Sequence, residues 1–483
     1  ADASELDLLD WNKVIDAKSW IEYQKRSFRF DSLEETDEPE VGKLNQKQGI
    51  GYGYIKDWID RVVEDPETPP LHLNVSGRAG CGKTFWINQV IKYAKLKLGP
   101  NCVKIGAPTA TAAFLVKGDT VHGLLKINPK IRTTQDLPPC PKGSLRELQE
   151  QFKNVKLIVI DEKSMLGIHM LYLIHKRLTE IKPRDCMKPF AGMSIILMGD
   201  FAQLPPIGDL PLYYTDTKKM SKFQADGVEL FKVFKQTIIF DEIMRQQGES
   251  QKRFRECLDN LASGNFNQSD WEYLGQRSFY SLSVDEQEDF MSDSVMLCTT
   301  NKDTKSYNMA RLRKLGTPIA MVKSENNCNE AIRASTKDAQ GLQQQTIIAK
   351  GMQWILTTNL WKEAGLTNGA KGIVTHIIYP SGIKPPIIPP LLMVQFDHYT
   401  GPTFIEGMEK CVPIAPVTRT WVGSEGKSCS RTMIPGILAY AMTAHKSQGR
   451  SMEKVMINLG PREFSCGLAY VCLSRCTKVE NLG

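Results

Sequence analysis

No run of about 18 consecutive apolar residues occurs in the 483-residue chain, so no segment is expected to span a membrane. The opening stretch, ADASELDLLDW, lacks both the basic and the apolar region of a secretory leader. Twelve cysteines are present without a single C-x-x-C pair. Their closest group, Cys466, Cys472 and Cys476, lacks the paired spacing of a zinc site. No zinc is therefore expected, and the cysteines read as reduced thiols of an intracellular compartment. No period of 20–50 residues recurs, which excludes a solenoid. A guanine reader of the N-K-x-D type is also missing, because TNKDT places Thr304 where an Asp is required. No cluster of nuclease carboxylates is evident. The chain begins without Met and stops at Gly483, as expected of a piece of a longer protein.

The composition, 41% hydrophobic and 24% charged, is that of a soluble globular protein, and the length suggests about three domains. Net charge is +7 but uneven. Residues 1–40 hold 12 acidic and 5 basic side chains; the other 443 hold 56 basic and 42 acidic. A polyanion partner suits that surplus. An ordinary basic enzyme would carry it equally well.

Residues 1–43 read as an acidic extension with one amphipathic stretch, WNKVIDAKSWIEYQKRSF, able to dock on the core or serve as a handle for a protein partner. From Leu44 strands and helices alternate. LHLNVS (71–76) runs into a glycine loop, and TFWINQVIKYAKLKL follows with Phe85, Ile87, Val90, Ile91 and Ala94 at helical spacing. VKLIVIDE (155–162) and MSIILMGD (193–200) are continuous apolar runs ending in acid, as parallel strands covered on both faces require. A doubly wound α/β domain is expected over 44–235. A second α/β region is expected over 236–330 and 426–483, interrupted at 331–425 by a small β-barrel rich in Pro, Gly and short β-runs.

Gly77 to Thr84 read G-x-x-x-x-G-K-T after a strand and before a helix, the context in which such a loop cradles phosphates. Backbone amides from Gly77 through Ala79, Gly80, Cys81 and Gly82 to the helix start would hold the α- and β-phosphates. Lys83 would reach the β/γ oxygens, and Thr84 would offer its hydroxyl to Mg²⁺. Asp161 and Glu162 supply a carboxylate for the metal and one to orient water, although two acids capping a strand are often merely solvated. In GDFAQLPPIGD (199–209), Gln203 is a neutral group suited to sensing a γ-phosphate; an ordinary Pro-rich loop is the equal alternative.

With these motifs in place the chain resembles the PIF (petite integration frequency) type DNA helicases of superfamily 1, relatives of the RecD-type motors. The matches run in order over about 440 residues: LNQKQ (44–48), GRAGCGKT, APTATAA with DTVHG (107–123), VIDEKSM, GDFAQLPPIGD, FDEIMRQ (240–246), GMQWILTTNLW with GLTNGAKG (351–372), AYAMTAHKSQG (439–449) and YVCLSRCT (470–477). The resemblance implies two tandem RecA-like motor domains with an SH3-like barrel inserted in the second. It implies that Gln48 reads adenine and that Arg245 and Arg475 reach the γ-phosphate from the second motor domain. Thr109, His122, Pro206, Thr443, His445, Lys446 and Ser447 would line a single-strand path, with Gln448 and Gly449 turned to the nucleotide. Cys81, Ala110 and Lys163 depart from the family's usual Thr, Gly and small residue, and Lys163 has no account in the sequence.

The reading is thus an ATP- and Mg²⁺-dependent DNA helicase that translocates 5′→3′ on single-stranded DNA and opens duplex forks. A DNA-stimulated motor or regulatory subunit of a larger nuclease or replication assembly is the alternative. Roles in DNA repair, recombination or replication, a monomeric state, and a nuclear setting in a eukaryote accompany the resemblance. The segment 125–150 sits where the family carries its fork wedge, and excising 125–143 is expected to spare DNA-stimulated ATPase while impairing unwinding.

Overall fold

The computed structural model describes residues 19–28, 38–109, 112–113, 116–336, 339–380, 382–423, 427–460, 463 and 465–483. Most of the acidic extension, and Ala110, lie outside the described residues. The chain divides into two compact units: a larger one of residues 34–299 and 443–483, and a smaller one of residues 1–33 and 300–442.

The larger unit is built on six parallel strands: β1 (His72–Gly77), β2 (Val103–Ala107), β3 (Asp119–Thr120), β4 (Leu157–Ile160), β5 (Ser194–Gly199) and β6 (Gln236–Phe240), in the order β3-β2-β4-β5-β1-β6. Every residue of β4 and β5 is buried. Because strand side chains alternate, the apolar runs feed two cores at once. Ile158, Ile160, Ile195 and Leu197 face Leu171, Ile174 and Leu178 of the helix Ile168–Ile181. Leu73, Val75, Val159, Ile196 and Met198 face Ile55 and Ile59 of the helix Gln46–Glu64 and Trp86, Ile87 and Val90 of the helix Lys83–Leu98. Each such Leu or Ile contributes about 1.5–3 kcal/mol by leaving water.

This order creates the site. After β1 the chain crosses to β2 on one side; after β5 it crosses to β6 on the other. The carboxyl ends of these neighbours therefore diverge and leave a crevice. A second parallel pair, Val455–Asn458 with Val295–Cys298, lies in the same unit.

Two expectations are corrected. Gln236–Phe240, read as the start of the second α/β region, pairs with β1 and completes the first sheet. Its exposed-to-buried pattern is that of an edge strand, which local composition does not separate from the next domain. The segment expected as a fork wedge is not detachable. Leu125, Ile127, Leu137 and Cys140 are buried in the core, Arg177 Nε donates to the Leu125 carbonyl at 3.1 Å, and Tyr172 donates to Asp136 at 2.7 Å. Excising it would open that core, although Asn128, Pro129, Lys130 and Arg132 at its tip are exposed.

The smaller unit carries a five-stranded sheet in the order Cys411–Ile414, Leu391–Phe396, Lys371–Ile378, Gln353–Leu356 and Gly436–Leu438, antiparallel throughout. The runs GIVTHIIY and LLMVQFD are its central neighbours, with an irregularity between Val374 and His376. Trp354 fills the space over Gly436, where a Cβ would lie 1.9 Å from the indole. The helix Trp20–Ser27 buries Ile21 in this core, so part of the amphipathic N-terminal stretch docks here. No helix among the described residues is long and apolar enough to cross a membrane.

At one corner of the larger unit, Phe190 and Ala191 adopt positive φ, 50° and 51°, which non-glycine residues hold only when their surroundings enforce it. His175 Nδ1 accepts from the Phe190 amide at 3.0 Å, and His72 Nε2 donates to the Met193 carbonyl at 3.2 Å. Burial holds both imidazoles below their ordinary value. Both therefore take up protons less readily in the folded chain, so on acidification below about pH 6.5 the unfolded chain takes up protons first and this contribution to stability is lost. The urea midpoint is therefore expected to drop between about pH 7.5 and about pH 5.5. His175→Gln should narrow that drop, and an unchanged drop would place the acid sensitivity elsewhere.

Candidate nucleotide site

The loop after β1 is shaped by the lack of room for side chains. A Cβ on Gly77 would lie 2.5 Å from Cys81 Sγ and 2.7 Å from the Phe240 carbonyl oxygen. Gly80 and Gly82 are left-handed, at φ 84° and 77°. Gly82 precedes the helix Lys83–Leu98 without a side-chain cap, so the first-turn amides face an anion position. Lys83 Nζ donates to the carbonyls of Gly77 at 2.7 Å and Arg78 at 2.9 Å, across the loop mouth. Thr84 is exposed on the first turn.

At the end of β4, burial and then the neighbouring Glu162 charge push the Asp161 carboxyl up to about 7. Glu162 sits in the left-handed region at φ 53°, a strained conformation for a side-chain-bearing residue. Its Oε2 accepts from Gln448 Nε2 at 3.2 Å. After β5, Gln203 is buried and its Oε1 has no protein partner, an orphan that a water or ligand atom would satisfy. Arg245 packs on Gly80, whose Cβ would lie 2.6 Å from the arginine Cβ, and donates to the Ser474 carbonyl at 2.6 Å. Burial and then the Arg475 charge push Arg245 down to about 10, so it remains cationic at neutral pH. Arg475 is 1% exposed and is held by the Val471 and Arg450 carbonyls and the Ser474 hydroxyl.

These groups line one cavity of about 390 Å³, together with Ala79, Gly449, Ser451 and Thr477. It combines an amide cradle, a lysine, two arginines and an acid pair. That donor set fits a nucleotide triphosphate with a divalent cation: the cradle and cations suit the phosphates, and Asp161 with Thr84 suits the metal.

Three expected residues are placed differently. Gln48 is buried behind the loop with both amide ends taken: Oε1 accepts from Asn45 N at 3.1 Å, and Nε2 donates to the Cys81 carbonyl at 3.0 Å. It braces the loop rather than facing the cavity, because Asn45 and Gln48 form the capping box of Gln46–Glu64. Ser447 is fully buried and donates to the Ala444 carbonyl at 2.8 Å, so its hydroxyl serves a turn rather than a surface. Thr443 is buried before the same turn. Lys446 is exposed and His445 half-buried, while Thr109, His122 and Pro206 are partly exposed beyond β2, β3 and β5.

Sequence reasoning missed three side chains. Tyr470 and Asp200 stood inside quoted motifs, but their partners are distant in the chain. Ala79 N donates to the Tyr470 hydroxyl at 2.9 Å and to Asp200 Oδ2 at 3.1 Å, and Tyr470 donates to Asp200 at 2.9 Å. Lys163 now has its account. It is fully buried and donates to Asn74 Oδ1, the Val75 carbonyl at 2.8 Å and Ser76 Oγ at 2.6 Å, with its ammonium 4.6 Å from the Phe201 ring centroid. One residue thereby ties β1, the acid pair and the loop after β5 together. Burial and then the Lys83 charge push it down to about 7.

Residues 53–272 match the family model described as PIF1-like helicase. ATP-dependent DNA helicase PIF1 of Xenopus laevis is 29% identical over 409 residues, covering 84% of this chain and 58% of that protein. ATP-dependent DNA helicase Pif1 of Campylobacter jejuni is 27% identical over 438 residues, covering 84% and 87%. The human PIF1 is 27% identical over 412 residues, and this chain covers 57% of it. The chain thus spans little more than half the length of the two vertebrate relatives. Among solved structures, Pif1 helicase from Candida albicans aligns with a TM-score of 0.67 at 23% identity, covering 91% of this chain and 94% of that one. Pif1 helicase from Bacteroides in complex with ADP-AlF3 and ssDNA gives 0.59 at 22%, covering 88% and 91%. At these identities the likeness establishes the α/β fold with its parallel sheet.

Tyr470→Phe removes the hydroxyl shared by Ala79 and Asp200 in a buried setting. A loss of about 1–2 kcal/mol is expected in chemical unfolding. In a double-mutant cycle with Asp200→Asn the two losses should not add; simple additivity would break the proposed triad.

Proposed function

We propose, on the premise that the chain belongs through residues 53–272 with the PIF1-like helicases, that it is an ATP-driven motor translocating 5′→3′ on single-stranded DNA and unwinding duplex. One observation carries the reading. The segment that carries the half-buried His445 and the exposed Lys446 ends in Gln448, which donates to the carboxylate expected to orient water. Strand contact on one side of a short turn can therefore move a group bonded to Glu162 on the other.

In this mechanism the amide cradle and Lys83 hold the phosphates, and Thr84 and Asp161 hold Mg²⁺. The metal supplies neutralisation of the charge on the leaving phosphate oxygens. Glu162 orients the attacking water, Gln203 reads the γ-phosphate, and Arg245 and Arg475 stabilise its developing charge. Arg475 is held by the Val471 and Arg450 carbonyls, so its position depends on how those two segments pack on the loop. Nucleotide occupancy would be read by packing around Ala79, Tyr470 and Leu473. Thr109, His122, His445 and Lys446 are the proposed phosphate-backbone contacts, with the apolar ring of Pro206 on the same path. The smaller unit's sheet is read as the SH3-like barrel inserted in the second RecA-like domain, and the tip near Arg132 as the fork wedge. Twelve free thiols suit a reducing intracellular setting, and the acidic extension a protein contact.

The decisive measurement is ATP turnover with and without single-stranded DNA, followed by unwinding of 5′- and 3′-tailed duplexes. DNA-independent turnover would reduce the protein to a switch. Arg475→Ala should leave ADP binding and DNA binding nearly intact while lowering kcat by ~10³-fold or more. Lys83→Ala should weaken nucleotide binding itself. Wild-type turnover by Arg475→Ala at saturating DNA would remove the arginine from the site. Gln448→Ala should lower the factor by which DNA stimulates turnover more than it lowers basal turnover. Equal losses of both would sever the proposed link.

A further inference from the structure

In the smaller unit, Glu325–Asn326 pairs antiparallel with Ser428–Met433, setting Asn326 opposite Arg431 and Glu325 opposite Thr432. Two residues further along the same register, Cys328 falls opposite Cys429. The alignment persists to that point: Asn327 N donates to the Ser430 carbonyl at 3.3 Å, its Nδ2 to the Ser428 carbonyl at 2.9 Å, and Ser430 N returns to Asn327 Oδ1 at 2.8 Å. The fully buried Arg431 locks the arm by donating to Asn326 Oδ1 and to the carbonyls of Ala331, Ala334 and Leu342.

The two sulfurs lie 3.6 Å apart. Facing residues of an antiparallel ladder have Cα separations of about 4.5–5.5 Å, inside the range of about 4.4–6.8 Å that a disulfide bridges. Moving the sulfurs ~1.5 Å closer takes a small side-chain rotation and no backbone shift. Exposure is unequal: Cys328 is partly exposed and Cys429 buried. The remaining exposed cysteines, Cys186 and Cys466, have no such neighbour in the ladder.

We propose that Cys328 and Cys429 form a reversible redox pair, with Cys328 meeting hydrogen peroxide and Cys429 resolving the product. The Cys328 thiolate attacks one peroxide oxygen, the O–O bond breaks, and the leaving hydroxide takes a proton to become water. Cys429 sulfur then attacks the resulting sulfenic acid, the S–O bond breaks, and the departing hydroxide takes the Cys429 proton as a second water. Two thiols and one peroxide give one disulfide and two waters. A dithiol restores both thiols by exchange. The bridge closes a loop of about 100 residues that the folded chain already holds, so it stabilises chiefly by restricting the unfolded state.

The test treats the full chain with hydrogen peroxide, alkylates free thiols under denaturing conditions and maps the digest by mass spectrometry. A linked pair of peptides carrying Cys328 and Cys429, lighter by two hydrogens and released by dithiothreitol, is expected. The oxidised chain should also melt higher than the reduced one, and Cys328→Ser and Cys429→Ser should each abolish that rise. Cys429 alkylated at the level seen before oxidation, or Cys328 recovered as a sulfinic or sulfonic acid, would overturn the assignment. So would a bridge from either residue to another cysteine.

Discussion

The turn from Gly77 to Gly82 has room for backbone and little else, and the rest of the site is arranged around that restriction. Presenting amides inward forces Gly80 and Gly82 into the left-handed region. The vacated side-chain space is then filled by residues distant in sequence, Arg245 against Gly80, Gln48 against Gly82 and Phe240 against Gly77, with Cys81 of the loop itself also packed on Gly77. Loop and surroundings thus define each other. An arginine can be held against the phosphate position because the residue beneath it carries no Cβ.

The same crowding explains the strain at the end of β4. Asp161 and Glu162 must leave the sheet beside β5 and still point at the loop. The chain turns by placing Glu162 in the left-handed region, and the backbone amide of Glu162 closes on Asp161 Oδ1 at 2.8 Å. A strained conformation persists only where its surroundings fix it. Here Lys163, buried and bonded along β1, and Gln448, bonded to the Glu162 carboxylate, hold the two residues on either side.

What the sequence reveals is what is local. The glycine loop, the acid pair and the apolar strands are contiguous patterns, each dictated by one element's own geometry, and Lys83, Asp161, Glu162, Gln203, Arg245 and Arg475 do converge on one cavity. What escapes is set by partners far along the chain. Tyr470 reaches Ala79 across 391 residues, and nothing near either residue announces that bond. Gln48 and Ser447 carry the right chemistry for ligands, but their polar atoms are consumed by a capping box and a turn, which motif spacing cannot weigh. The sequence places β6 with the second α/β region, yet it pairs with β1, because an edge strand looks the same on either side of a boundary.

Lys163 shows how a departure from a motif is absorbed. The buried acids Asp161 and Glu162 line the cavity with the cations Lys83, Arg245 and Arg475, while the buried Asp200 and Lys163 stand outside its lining. Left isolated, each buried ion would cost several kcal/mol, so the set persists only by mutual attraction and hydrogen bonding. Lys163 has its ammonium bonded to β1 and is favoured in its charged form by Asp200. Lys83 and the arginines contribute from the cavity side. Burial is the first cause that lowers Lys163 and Arg245, and the neighbouring Lys83 and Arg475 charges add to it. The cations that line the cavity, Lys83, Arg245 and Arg475, favour a polyanion over a neutral ligand, and Lys163 stands outside that lining, bracing the acid pair without occupying the space the ligand needs.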